Sequence, residues 1–155
     1  MKKFRMAPIR SDNITDILEI AIECGLSSWS ESDYMDEAGR DDSIMLRLET
    51  ETCETIGFLI GRRVISSTVE NRYDAEIYNI GVKESFQKNG CGTMLLAKFL
   101  EESRRTSVRD VWLDVRRSNE NAIRFYEKNG FKIYTIRKNF YSAPGEDGMV
   151  MRLKL

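Results

Sequence analysis

The sequence predicts a mixed α/β fold in one domain spanning residues 1–155, a central sheet of about six to seven strands with helices on both faces. Three observations predict it. Apolar residues at helical spacing follow a short first strand, and two strand-like runs joined by a polar turn give an antiparallel start. The second half then alternates strand, helix, strand, helix. The chain has 155 residues, 41% of them hydrophobic, which suffices for a sizeable core. Its 24 Lys and Arg nearly cancel 25 Asp and Glu. That balance argues against disorder and against a nucleic-acid partner held on a basic face.

The elements follow in order. A strand is expected around Phe4–Ile9. Ser11, Asp12 and Asn13 offer helix caps, and Ile14, Ile17, Leu18, Ala21 and Ile22 then recur on one helical face. Gly25 ends that helix, and a second short helix is expected near Glu31–Ala38. The runs Ser43–Glu49 and Thr55–Ile65, joined by polar Thr50–Glu54, read as a hairpin. Ala75–Val82 is a third strand-like run, followed by a polar loop and a helix beginning near Gly90. The apolar strand Val111–Val115 leads to a helix from about Ser118 to Asn129. Gly130 suits a left-handed cap for it, with Phe131 packing back. Phe131–Arg137 and Met149–Leu153 read as a last strand pair around a long loop.

Histidine is absent. This excludes Ser-His-Asp and Cys-His catalysis, histidine-ligated zinc and an imidazole base. Proton transfer falls to carboxylates, Tyr, Lys, Cys or water. Cys24, Cys53 and Cys91 form no metal spacing and no even disulfide set, so no metal is expected and a reducing cytoplasm is. No run approaches the roughly 18 apolar residues of a membrane helix. Met1–Met6 lacks the apolar core of a leader.

The segment Gln87-Lys88-Asn89-Gly90-Cys91-Gly92-Thr93 lies between a strand and a helix. Its two glycines and the free N–H groups of a helix start suit a diphosphate. The same glycines also suit a plain tight turn. No Gly-Lys-Ser/Thr follows, so this is not a Walker loop.

These residues resemble the Q/R-x-x-G-x-G/A acyl-CoA loop of the GNAT superfamily of acetyl-CoA-dependent N-acetyltransferases. Ala75–Val82, Trp112–Arg116, Ser118–Ala122, Phe125–Glu127 and Asn129–Phe131 extend the resemblance. Within the superfamily the chain is most similar to the RimI type, which acetylates the N-terminal alanine of a small-subunit ribosomal protein. Arg137–Tyr141 with Gly145–Asp147, and Trp29-Ser30-Glu31, carry that likeness.

The resemblance implies an acetyl-CoA-dependent enzyme acting on a protein N-terminus. It implies pantetheine along Ile80, Gly81 and Val82, and the diphosphate on Lys88, Asn89, Gly90, Cys91, Gly92 and Thr93. Asn119 would contact the CoA arm. Asp114 falls where the RimI type carries a glutamate base, and Tyr126 where it carries the tyrosine acid. Trp29, Phe140 and Tyr141 fall on the acceptor side, with Phe140 where a second tyrosine is usual.

The residue types fit that chemistry. A peptide α-amine, with a pKa of about 7.7–8.0, needs less help to lose its proton than a lysine near 10.4. A carboxylate at a strand end can take the proton, and a phenol can protonate the departing thiolate. Aspartate reaches roughly 1.5 Å less than glutamate, a gap a bridging water closes. Glu76 on the preceding strand is the next carboxylate. Against these roles stand plainer ones: Asp114 as a polar strand end paired with Arg116, Tyr126 as core, Cys91 as a small filler. From Ser11 to Ile60 there are thirteen acids and two bases, Arg40 and Arg47. Such a stretch is either a solvated surface or an acidic lip for a basic N-terminus. A small-molecule amine or polyamine acceptor, and a non-catalytic acyl-CoA sensor, are the rival readings.

Overall fold

The computed structural model describes residues 3–26, 29–66 and 69–155. Met1 and Lys2, part of the stretch read for a leader, lie outside them. Seven strands form one sheet: β1 (Phe4–Pro8), β2 (Ser43–Thr50), β3 (Thr55–Ile65), β4 (Tyr73–Val82), β5 (Val108–Arg116), β6 (Lys132–Ser142) and β7 (Gly145–Lys154). Their spatial order is β1-β2-β3-β4-β5-β7-β6. All neighbours are antiparallel except β4 and β5, which run parallel. The parallel pair requires a crossover, supplied by helix α3 (Cys91–Arg105). The expected mixed sheet with helices on both faces is what the chain forms.

Helices α1 (Ile14–Glu23) and α2 (Glu31–Ala38) cover one face, where Ile14, Ile17, Ile20, Ala21 and Tyr34 pack on Phe58 and Ile60 of β3. The apolar face of α1 is shifted from the expected one. Ile20 is buried, whereas Ile22 is 79% exposed. On a 3.6-residue turn Ile20 lies nearer the Ile17/Ala21 centre of that face than Ile22 does. Ser30 caps α2 by accepting from Asp33 N–H at 3.2 Å, and the Asp33 carboxylate accepts from Ser30 N–H in return.

Helices α3 and α4 (Glu120–Lys128) cover the other face with Leu95, Leu96, Phe99 and Tyr126. Alternation along β3 divides the two cores, since Phe58 and Ile60 face α1 while Leu59 faces α3. Gly61 brings α3 close: a Cβ there would lie 2.4 Å from Phe99 Cε2 and 2.6 Å from the Glu76 carbonyl. The α4 terminus forms as expected, with Gly130 at φ +92° and Phe131 N–H donating to Tyr126 O at 3.0 Å.

The last strand pair differs from its expected form. There is no long loop: β6 and β7 run to Ser142 and Gly145 and turn through Ala143 and Pro144. The polar stretch reads as loop because β6 is an edge strand exposed along nearly its whole length, and charged side chains suit such an edge. Among the described residues no helix is long and apolar enough to cross a membrane.

Candidate active site

The site begins where two parallel strands part. The last β4–β5 pairing is Ile77 with Leu113, yet β4 continues to Val82 and β5 to Arg116. A slot opens between them. Lys83 N–H donates to Ile56 O at 2.8 Å across the β3 side. Peptide groups alternate along an antiparallel ladder, so Gly81 turns its own toward β3 while Ile80 and Val82 turn theirs into the slot. The register slips at Tyr78, between Ile60↔Asn79 and Gly61↔Ile77, and such a bulge re-aims the strand. The Val82 carbonyl accepts from Gln87 Nε2 at 2.9 Å and from Cys24 Sγ at 3.3 Å. Gln87 of the loop motif therefore ties the loop to the slot.

On the α3 face, Lys88 and Gly90 both take positive φ, 60° and 77°, to turn the chain into α3. The first helical bond runs from Met94 N–H to Gly90 O at 2.9 Å. It leaves the N–H groups of Cys91, Gly92 and Thr93 at an open helix terminus with no acidic residue in its first turn. Nothing lies within 4 Å of where a Gly90 Cβ would be. Gly92 differs: its Cβ would meet the Phe125 ring at 3.3 Å, so this glycine seats α3 against α4. Cys91 is 1% exposed and burial pushes its thiol pKa up, in keeping with a filler that offers only its backbone. Lys88 and Asn89 are exposed beside it. Asn119 caps α4, its Oδ1 accepting from Ala122 N–H at 3.2 Å, so the cap uses the amide oxygen and not the amide N–H groups.

Tyr126 is 6% exposed and lies in the α3/α4 core, its ring edge-on to Phe125 at 5.2 Å and Phe131 at 5.5 Å. Burial pushes its phenol pKa up and keeps it protonated. Asp114, one residue past the last β4–β5 pairing, opens on the opposite face, because Leu113 and Val115 beside it belong to the core that holds Tyr126. The two residues lie on opposite faces of the sheet, with the slot between them.

Asp114 lines a groove of about 510 Å³ together with Glu76 and Tyr78 of β4, Trp112 of β5, and Arg137 and Tyr141 of β6. Its carboxylate lies 3.5 Å from Arg137 Nε. Burial raises the Asp114 pKa, the Arg137 guanidinium draws it down and Glu76 pushes it up again. The Tyr78 hydroxyl donates to Glu76 Oε2 at 3.0 Å. Tyr141 reaches the groove under the Arg116 guanidinium, 4.3 Å from its ring centroid. Phe140 does not line it. That ring packs on Tyr141 and covers Gly148, whose Cβ would lie 3.1 Å from Phe140 Cδ1. Trp29 also stands outside, packing on Tyr34 at 5.2 Å and on Tyr78 at 6.0 Å, so it backs the groove wall.

Four acids of the lip are ion-paired. Glu37 pairs with Arg62, Asp42 with Arg40, Glu54 with Lys83, and Glu49 with both Arg5 and Arg47. The carboxylates that open on the groove are Asp74, Glu76 and Asp114. The bases that answer the acidic stretch come largely from distant strands, invisible to a local count. Tyr78, Trp112 and Arg137 were not singled out as site residues. Strand alternation was the available signal, since Glu76 and Tyr78, like Trp112 and Asp114, are two residues apart.

The Acetyltransferase (GNAT) family matches residues 14–131. The chain belongs to this family. A GNAT relative from Haemophilus influenzae, named ribosomal protein bS18-alanine N-acetyltransferase, is 31% identical over 149 residues, 94% of this chain and 95% of that protein. A Salmonella typhimurium protein of the same name is 43% identical over 84 residues, 53% of this chain and 57% of its own length, so that match spans little more than half of the relative. The crystal structure of the ribosomal-protein-S18-alanine N-acetyltransferase from Escherichia coli superposes with a TM-score of 0.83 at 27% identity, covering 98% of this chain and 94% of that one. The shared GNAT fold extends well beyond the matched stretch, through the β6–β7 hairpin.

Proposed function

We propose that this chain transfers the acetyl group of acetyl-CoA to the N-terminal α-amine of a protein, with a ribosomal protein as the acceptor. The observation that carries this reading is the slot between β4 and β5, with an open helix terminus on one face and a carboxylate groove on the other. The acceptor class rests on relatives named for the alanine of ribosomal protein bS18.

In this reading pantetheine lies along Ile80–Val82, accepting from and donating to the peptide groups that β5 leaves unpaired. The diphosphate rests on the loop from Lys88 to Thr93, and Asn119 holds the CoA arm. The amine enters from the groove past Tyr141, with Trp29 and Phe140 shaping the approach from behind. Asp114 takes a proton from it, the nitrogen attacks the thioester carbonyl, and the C–S bond breaks. Tyr126, kept protonated by burial, donates to the departing thiolate from the other face.

Release of CoA from acetyl-CoA tests the reading with three acceptors: an alanine-starting ribosomal peptide, a polyamine and none. Turnover should follow the peptide. Equal or faster turnover with the polyamine would replace the acceptor class, and no acceptor-dependent turnover would leave only acyl-CoA binding.

A further inference from the structure

Tyr141 enters the groove from the part of β6 where the ladder does least to aim it. Beyond the Arg137↔Gly148 pair the next is Tyr141↔Glu146, so four steps of β6 span two of β7. A bulge of this kind bends the strand and takes side-chain direction out of the ladder's control. Asp147 holds the bulge itself. Asn139, at φ +52°, donates its N–H to Asp147 Oδ1 at 2.9 Å, and Lys138 Nζ donates to Oδ2 at 3.2 Å. Neither bond reaches Tyr141.

The tether on Tyr141 is Arg116, the last residue of β5. Its guanidinium lies 4.3 Å from the ring centroid, while Phe140 meets the same ring edge-on at 5.0 Å. Arg116 Nη1 donates to Pro144 O at 3.0 Å and to Glu146 Oε2 at 3.3 Å, and Nη2 donates to Ala143 O at 3.3 Å. One side chain thereby grips the ring, the turn that follows it and the residue opposite it in the ladder. Alternation puts Arg116 on the sheet face of Trp112 and Asp114, yet it does not line the groove, and it pairs with Glu146 rather than with Asp114.

Glu146 is held in turn. Its Oε1 accepts from Ser118 N–H, one residue before the Asn119 cap of α4. Hydrogen bonding to Ser118 first, and Arg116 after it, outweighs burial and draws the Glu146 pKa down, so the carboxylate stays ionised. At Tyr141, burial first and then Asp114 push the phenol pKa up, so its hydroxyl remains a neutral donor. A guanidinium suits this hub because it is planar, stacks on a ring and donates outward from a fixed fork. An ammonium keeps only the charge.

We infer that Arg116 is a positioning residue for acetyl transfer, holding Tyr141 over the groove in the place where the acceptor enters. This deepens the N-terminal acetylation reading and rests on it. Arg116 acts through Tyr141, so its loss falls on acceptor binding and not on the bond-making step.

The test is a double-mutant cycle in the full chain with the alanine-starting ribosomal peptide. Acceptor KM and kcat are measured at saturating acetyl-CoA, with acetyl-CoA affinity and melting temperature beside them. Arg116→Lys keeps the charge and should raise acceptor KM about ten-fold, the scale of a lost ring contact and hydrogen bond together, with kcat and acetyl-CoA affinity nearly unchanged. In a Tyr141→Ala background the same substitution should raise KM no further, as for two residues that act through one contact. Glu146→Gln removes the ion pair while leaving Arg116 in place, and should raise KM by a smaller factor; it carries the test if Arg116→Lys does not fold. An unchanged acceptor KM, a loss carried by kcat or acetyl-CoA affinity, or a rise of equal size in the Tyr141→Ala background overturns the assignment. The acceptor reading fails separately: if the wild-type chain turns over a polyamine and not the peptide, the same cycle is read on the polyamine.

Discussion

At the scale of single residues, Tyr126 combines two properties that sequence alone left as alternatives. It is core, edge-on to Phe125 and Phe131, and it is the family's candidate acid. Removing only its hydroxyl separates them. Tyr126→Phe keeps the ring contacts, so melting temperature should hold, while kcat should fall by about 10²–10⁴-fold with little change in acetyl-CoA affinity. Turnover at the wild-type level would reduce Tyr126 to packing. Gly92 carries a similar lesson with the opposite emphasis. Read as backbone access for a ligand, it proves to seat α3 on the Phe125 ring, a contact between residues 33 positions apart that no local motif encodes.

At the scale of elements, the sheet and helices owe their spacing to glycine as much as to apolar side chains. Gly61 allows α3 to lie against β3, with no room for a Cβ between Phe99 and the Glu76 carbonyl. Gly61→Ala should therefore cost about 1–3 kcal/mol through overpacking, seen as a fall in melting temperature of about 2–4 °C per kcal/mol. An unchanged melting temperature would mean that α3 shifts freely. Elements rich in buried apolar residues were legible, since α1 carries them at helical spacing and β2 and β3 carry apolar runs. The β6–β7 hairpin was read short because exposed strands need no alternation. The slot was not legible at all: whether two parallel strands stay paired depends on their neighbours, and no residue type announces where they part.

At the scale of the whole molecule, charge binds distant segments. Glu49 of β2 is fully buried between Arg5 of β1 and Arg47. The hydrogen bond from Arg5 is the largest cause of its lowered pKa, opposed by burial and aided by Arg47. A carboxyl whose folded pKa lies below its unfolded value contributes stability at neutral pH, and that contribution is lost as pH falls through the folded pKa. Glu49→Gln should thus melt at lower temperature than the wild-type chain at pH 7. The gap should close as pH drops below about 4, under the ordinary carboxyl range. A gap independent of pH would assign the loss to packing. The bases that meet three of the acids of Ser11–Ile60 lay beyond a count over that stretch, since Arg5, Arg62 and Lys83 fall outside it.

The parting of β4 from β5 makes the free chain an unfinished sheet. Ile80 and Val82 hold their peptide groups toward a gap that no protein strand fills. On the proposed reading, the amide groups of pantetheine complete the ladder there, standing in for the missing length of β5. Cofactor affinity and conformational stability then become one quantity read two ways. Saturation at one hundred times Kd should stabilise the fold by about 2.7 kcal/mol, growing with the logarithm of concentration. In hydrogen–deuterium exchange, the Ile80 and Val82 amides should slow sharply on adding acetyl-CoA, while the Gly81 amide, already turned to β3, should change least. Such a one-on, one-off pattern of protection along three consecutive residues would be the signature of a small molecule serving as a strand.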